Sequence, residues 1–124
     1  MALEGFKVYI PTTGDANLTL TKNGIGISKA TVSKLNCSAY VKVLIDYQGR
    51  RMAIVETDEN DPAKTEFARD GKNVGLRWNS RDLVKTICQM NKWTLDNGVK
   101  YTIPGEYSVE DSAMIFDFSR ATRS

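Results

Sequence analysis

LTLTKNGIGISKATVSKLNCSAYVKVLIDYQGRRMAIVE, residues 18–56, is the stretch that decides the fold. Leu18-Thr19-Leu20-Thr21 alternates apolar and polar side chains, the period of a half-buried strand. Lys22-Asn23-Gly24 predicts a turn, because Asn-Gly readily takes positive φ. Ile25-Gly26-Ile27 is a second short extended piece. Ser28 is placed to cap a helix over 29–35, with Ala30, Val32 and Leu35 on its apolar side, and Asn36 stops it. Alternation returns from Tyr40 to Tyr47, putting Val41, Val43, Ile45 and Tyr47 on one face. Gln48-Gly49 is the expected hairpin tip, and 51–56 is the returning strand.

Downstream, Thr57 to Lys72 is rich in Asp, Glu, Asn, Pro and Gly, and reads as a linker or long loop punctuated by Pro62 and Gly71. The order of elements then recurs. Val74 to Trp78 is extended, and Asn79 is the expected N-cap, with Asp82 three residues on in a near capping box. Leu83, Val84, Ile87, Cys88 and Met90 mark the buried side of a helix over 80–91. Val99 to Ser108 is a long strand with a bend or bulge expected at Pro104-Gly105. Glu110-Asp111-Ser112 turns the chain into a closing strand, Ala113 to Phe118, and the polar tail after Ser119 is expected to fray.

The expected fold is therefore α+β: two short helices packed on antiparallel β-hairpins, in a single domain over 1–124. Two pseudo-repeated strand-helix-hairpin halves, about 18–56 and 74–118, flank an acidic connection at 57–73. Ser28 to Leu35 can be laid on Asn79 to Thr86, matching Val32 with Leu83 and Lys34 with Lys85. One such unit would leave an apolar face uncovered, and two packed together would cover it.

The totals suit that picture. The chain has 124 residues, 41% hydrophobic and 26% charged, an ordinary globular balance with room for one core. Apolar runs such as Val43-Leu44-Ile45 are too short to span a bilayer. Met1-Ala2-Leu3-Glu4-Gly5-Phe6 has neither a basic nor an apolar leader region. With only Cys37 and Cys88 as thiols, a reduced cytoplasmic protein is the expectation.

Histidine is absent from the sequence. That removes the commonest general base, the commonest zinc ligand and every Ser-His or Cys-His arrangement. No P-loop or Gly-x-Ser-x-Gly spacing occurs, so neither catalysis nor a cofactor or metal is expected. The acids Glu56, Asp58, Glu59 and Asp61 lack the ligand spacing and central glycine of a calcium loop, and read as a solvated segment.

Net charge is only +2, from 17 basic and 15 acidic residues, but it is uneven. Lys22, Lys29, Lys34, Lys42, Arg50 and Arg51 crowd 20–51 against Asp46, and five acids then meet Lys64 alone between Glu56 and Glu66. The basic set is the candidate for phosphate contact. Arg77, Trp78, Arg81 and Trp93 form a second candidate set for a partner, since Trp and Arg are enriched where partners dock and can stack nucleobases. The alternative is that Trp78 staples the helix start and Trp93 covers the core edge.

From Lys22-Asn23-Gly24-Ile25-Gly26-Ile27-Ser28-Lys29 through Val55, the first half resembles the swapped-hairpin DNA-binding modules of the AbrB, SpoVT and MraZ group. Asn23-Gly24 resembles that family's turn, Ile25 and Ile27 its strand, Lys29 to Leu35 its helix, and Tyr40 to Val55 its hairpin. Where the family carries Gly-Arg and a proline before the helix, this chain has Gly24-Ile25 and Ser28-Lys29. The resemblance implies a DNA-binding transcriptional regulator acting as a homodimer or an intrachain pseudo-dimer. The chain is also similar in style to small proteins of phages and mobile elements. That likeness implies an inhibitor of a host defence system, either an anti-CRISPR-like blocker of a nuclease or a trap for a nucleotide signal.

Overall fold

In a computed structural model that describes residues 2, 4, 15–68, 71, 72 and 74–124, the first elements are β1 (Asn17–Thr21), β2 (Gly24–Ile27), α1 (Lys29–Lys34), β3 (Tyr40–Asp46) and β4 (Arg51–Thr57). There follow β5 (Thr65–Glu66), β6 (Leu76–Trp78), α2 (Arg81–Asn91), β7 (Tyr101–Ser108), β8 (Ala113–Asp117), a 3₁₀ turn at Phe118–Arg120 and β9 (Thr122–Arg123). Met1, Leu3, Gly5 and Phe6, read above for a leader, lie outside the described residues.

Local chemistry explains the first hairpin. Leu18, Leu20, Ile25 and Ile27 turn inward and are buried, leaving Thr19, Thr21 and Gly26 outward. Gly24 ends the turn at φ 149, and a Cβ there would come within 2.6 Å of the Trp78 carbonyl oxygen, so only glycine fits. Ser28 caps α1 by accepting from the Thr31 amide at 3.4 Å, and it also accepts from the Asn17 amide at 3.0 Å. One hydroxyl thus ties the start of β1 to the start of the helix. In α2 the cap is Ser80, which accepts from Leu83, and not Asn79 as expected. The shift by one position pairs Val32 with Val84, both buried, rather than with Leu83.

The strands form a nine-stranded antiparallel sheet among the described residues, in the order β5-β3-β4-β8-β7-β1-β2-β6, with β9 beside β7. The sheet curls into a half-barrel, and the two helices complete an α+β fold. Inside the curl, Val32 of α1, its C-cap Leu35, and Val84 and Ile87 of α2 join Leu18, Ile54, Ile103 and Phe116 in one apolar core. The edge strands β5 and β6 are linked by the Trp78 indole, whose Nε1–H donates to the Glu66 carbonyl at 3.3 Å while its ring packs on Phe67.

The β3–β4 and β7–β8 hairpins have loops of equal length, 47–50 and 109–112. Each loop ends on a residue at positive φ, Arg50 at 55° and Ser112 at 50°. The first loop is held at the end of α2, where Arg50 Nε–H donates to Asn91 Oδ1 at 2.7 Å. The second is held beside β4, where the Glu56 amide donates to the Ser112 carbonyl.

Several expectations need correction. Tyr47 does not share the inner face of β3 but is 63% exposed, because it already belongs to the loop. The 57–72 connection is not all linker: β5 lies within it and pairs with β3, and Phe67 and Ala68 are buried. Strand β7 runs on through Pro104-Gly105, and changes partner there from β1 to β8. The tail after Ser119 is not frayed, since β9 pairs with β7 and Ser124 exchanges both backbone bonds with Lys100.

Candidate nucleic-acid interface

The structure separates the six basic residues of the first candidate set. Lys42 lies 3.7 Å from Asp61, and Arg51 forks onto Asp46 at 2.8 and 3.1 Å. Arg50 is taken up by the buried Asn91. These three sit on the β3–β4 hairpin, each with an internal partner. Lys34 ends α1.

Lys22 and Lys29 are held at opposite ends of β2. Lys22, in the β1–β2 turn, donates to Asn97 Oδ1. Lys29 is exposed at the first position of α1.

The second candidate set also divides. Trp93 stacks on Tyr101 at 4.0 Å and 6° and meets Phe118 edge-on at 5.9 Å, so it closes the core edge. It lies beyond the C-terminal end of α2, whereas Trp78 and Arg81 precede or begin that helix. Arg77 and Arg81 are exposed.

Arg77 stands opposite Gly26 in the middle of the β2–β6 ribbon, where Ile25 pairs with Trp78 and Ile27 with Leu76. Its Nη2–H donates to Thr21 Oγ1 at 3.3 Å, which draws the guanidinium towards the β1–β2 turn. The start of each strand in this ribbon lies against the start of the helix that follows the other. A Cβ on Gly75 would come 3.6 Å from the Lys29 amide, and one on Gly24 would come 3.4 Å from Asn79 Oδ1. Lys29 and Arg81 therefore flank the ribbon, each directly after a serine cap, with Arg77 between them. Lys72 adds a further cation along the groove between β5 and β6, which Phe67, Leu76 and Trp78 also line.

Lys29, Lys72, Arg77 and Arg81 thus stand along the β2–β6 ribbon and its outer edge, drawn from both candidate sets plus Lys72, while Lys22 is held by Asn97. The connection hid Lys72, since no local pattern there placed it beside Arg77. A cation at the first position of a helix opposes the macrodipole, so the sites of Lys29 and Arg81 are not explained by helix stability.

Elsewhere, local hydrogen bonds and burial account for the groups whose titration is displaced. The Gly49 amide and Arg51 hold Asp46 below the usual carboxylate range, and Thr57 and the Ala63 amide do the same for Asp61. The Ser119 hydroxyl and amide lower Asp117. Burial pushes the Cys88 thiol up, which keeps it protonated and unreactive at neutral pH. No group of three or more Cys, Asp or Glu among the described residues is placed to hold a metal ion.

Glu56 moves the other way, raised by burial despite accepting from Asn36 Nδ2 at 3.1 Å. A carboxyl raised in the folded state favours folding below its unfolded value, and that contribution is lost as pH rises through the folded value. Glu56→Gln keeps an acceptor for Asn36 and removes the charge. It is expected to raise the melting temperature at pH 7, with the gain vanishing below about pH 4. Paired thermal melts at the two pH values check this; an equal gain at both would rule out the buried charge as its source.

No family model matches the chain, and no curated protein or solved structure matches it. The described residues contain no helix long and apolar enough to cross a membrane.

Proposed function

We propose that this chain is a DNA-binding regulator of swapped-hairpin type, in which one chain supplies both halves of a pseudo-dimer and contacts phosphates through the β2–β6 surface. The observation that carries the reading is the pairing pattern. Exchange β1 to β4 with β5 to β8, and α1 with α2, and the sheet maps onto itself except at two places: the β1–β2 hairpin, whose counterparts β5 and β6 do not pair, and β9, which has no counterpart. The β3–β4 hairpin becomes β7–β8, and the β1–β7 pairing becomes β5–β3. The β2–β6 and β4–β8 pairs each become themselves, turned about Gly26–Arg77 and Ala53–Ile115.

Each hairpin loop then sits against the other half, as Arg50 does on Asn91, which is what a swapped hairpin means. Lys29 and Arg81 become equivalent, each following a serine cap across the local two-fold, with Arg77 almost on it. Two-fold arrays of cations suit the antiparallel strands of duplex DNA. The missing turn arginine of the family is answered by Arg77, which reaches the turn from β6. Lys and Arg against phosphate supply affinity, so recognition through this surface is binding and not catalysis.

The test is a salt titration of duplex binding. Binding is expected at about 50 mM salt, weakening as salt rises, with a log–log slope near 0.9 per phosphate met. No binding at low salt, or binding indifferent to salt, would remove the reading.

The β5–β6 groove favours a second reading, capture of a nucleotide by an inhibitor of host defence. Trp78, Phe67, Lys72 and Arg77 line a space of about 820 Å³ there. Thermal stabilisation by a nucleotide, with none by duplex DNA, would move the assignment to it.

A further inference from the structure

Gly26 is a glycine that the fold does not require. It faces outward between the buried Ile25 and Ile27, and its φ lies outside the left-handed region. An added Cβ would meet nothing nearer than Thr19 Cβ at 3.6 Å, an ordinary van der Waals contact. Gly24 differs on both counts, and at Gly105 a Cβ would strike the Phe116 ring at 2.8 Å. A glycine inside a strand weakens the strand, and one without a steric or dihedral reason marks a place where something else approaches the backbone.

The surroundings indicate what approaches. Arg77 is the cross-strand neighbour of Gly26, yet its guanidinium leans towards Thr21 and Gly24 and leaves Gly26 bare. A shallow groove of about 420 Å³ crosses the bare position, lined by Asn17, Thr19, Ser28, Gly75 and Arg77 as well as Gly26. Hydroxyls, an amide and one cation are the groups that hold a phosphodiester, and Lys29 and Arg81 stand at either side.

We infer that one phosphodiester strand of duplex DNA rests directly on the Gly26 backbone, between Thr19 and Arg77, and that the missing side chain admits it. This rests on the DNA-binding reading and adds to it the line of closest approach. Contact is steric as well as ionic: the strand comes nearer than any β-branched residue at 26 would permit.

The experiment uses the full chain with Gly26→Val and Gly26→Ala, measured by fluorescence anisotropy on a labelled duplex at about 50 mM salt, with thermal melts alongside. Valine suits an exposed strand position, so its melting temperature is expected to match or exceed that of the parent chain. Its affinity is expected to fall at least about tenfold, with alanine between. If the parent binds and Gly26→Val binds equally well, the close approach is wrong and DNA binding stands. If the parent binds no duplex, both ideas fall together. Should valine lower the melting temperature, alanine decides: weaker binding at the parental melting temperature supports the approach, and unchanged binding overturns it.

Discussion

Truncating Phe116 to alanine is expected to lower the unfolding free energy by about 3–5 kcal/mol, among the largest effects of any single change in this chain. The ring is fully buried on β8, registered between Met52 of β4 and Gly105 of β7. It occupies the space above Gly105, where a Cβ would lie 2.8 Å from Phe116 Cε1 and 2.9 Å from Met114 Sδ. Glycine cannot extend into the vacated volume, so the cavity stays open and the loss falls high in the usual range. A domain of this size has only about 5–15 kcal/mol in total. The pair also predicts its own rescue. Gly105→Ala alone crowds the ring and the Met114 side chain and destabilises by about 1–3 kcal/mol, but on the Phe116→Ala background the ring contact is gone and the flexible Met114 can move into the vacated volume, so the two costs do not add. Urea unfolding of the four proteins measures this; strict additivity would show that the ring does not lie over Gly105.

The second large effect concerns binding. Lys29→Ala, Arg77→Ala and Arg81→Ala together are expected to weaken duplex binding by about tenfold per lost contact at low salt. The log–log salt slope should flatten by about 0.9 for each. All three side chains are exposed, so folding is left nearly as it was. The control is Lys42→Ala with Arg51→Ala. Those two cations already face Asp61 and Asp46, and removing them should leave the slope unchanged. Anisotropy titrations across a salt series on the two variants separate the sites. A larger loss in the control would place the interface on the β3–β4 hairpin instead.

What was legible in the residues is what depends on near neighbours. The Asn23-Gly24 turn, the Ser28 cap, the core-facing alternation of buried Val41 with half-buried Val43 and Ile45, and the apolar side of α2 all rest on side chains a few positions apart. Two short helices with antiparallel hairpins could therefore be read before any contact was known. The failures were of a different kind. Thr65-Glu66 and Thr122-Arg123 are polar pairs without a strand signature, and they become strands because β3 and β7 each present an edge to them. Asn79 and Ser80 are both good caps, and Ser80 is the one whose hydroxyl meets the Leu83 amide.

For the candidate site the division is sharper. The sequence alone determined that imidazole chemistry is absent and that the first half is locally basic. Only the tertiary structure decided which of those cations are spent internally and which stand together. An ion pair such as Arg51–Asp46 can be guessed along the chain, but Lys42–Asp61, Arg50–Asn91 and the meeting of Gly26 with Arg77 join residues brought together by folding. Coulomb and hydrogen-bond energies depend on distance in space, and the sequence records only distance along the chain.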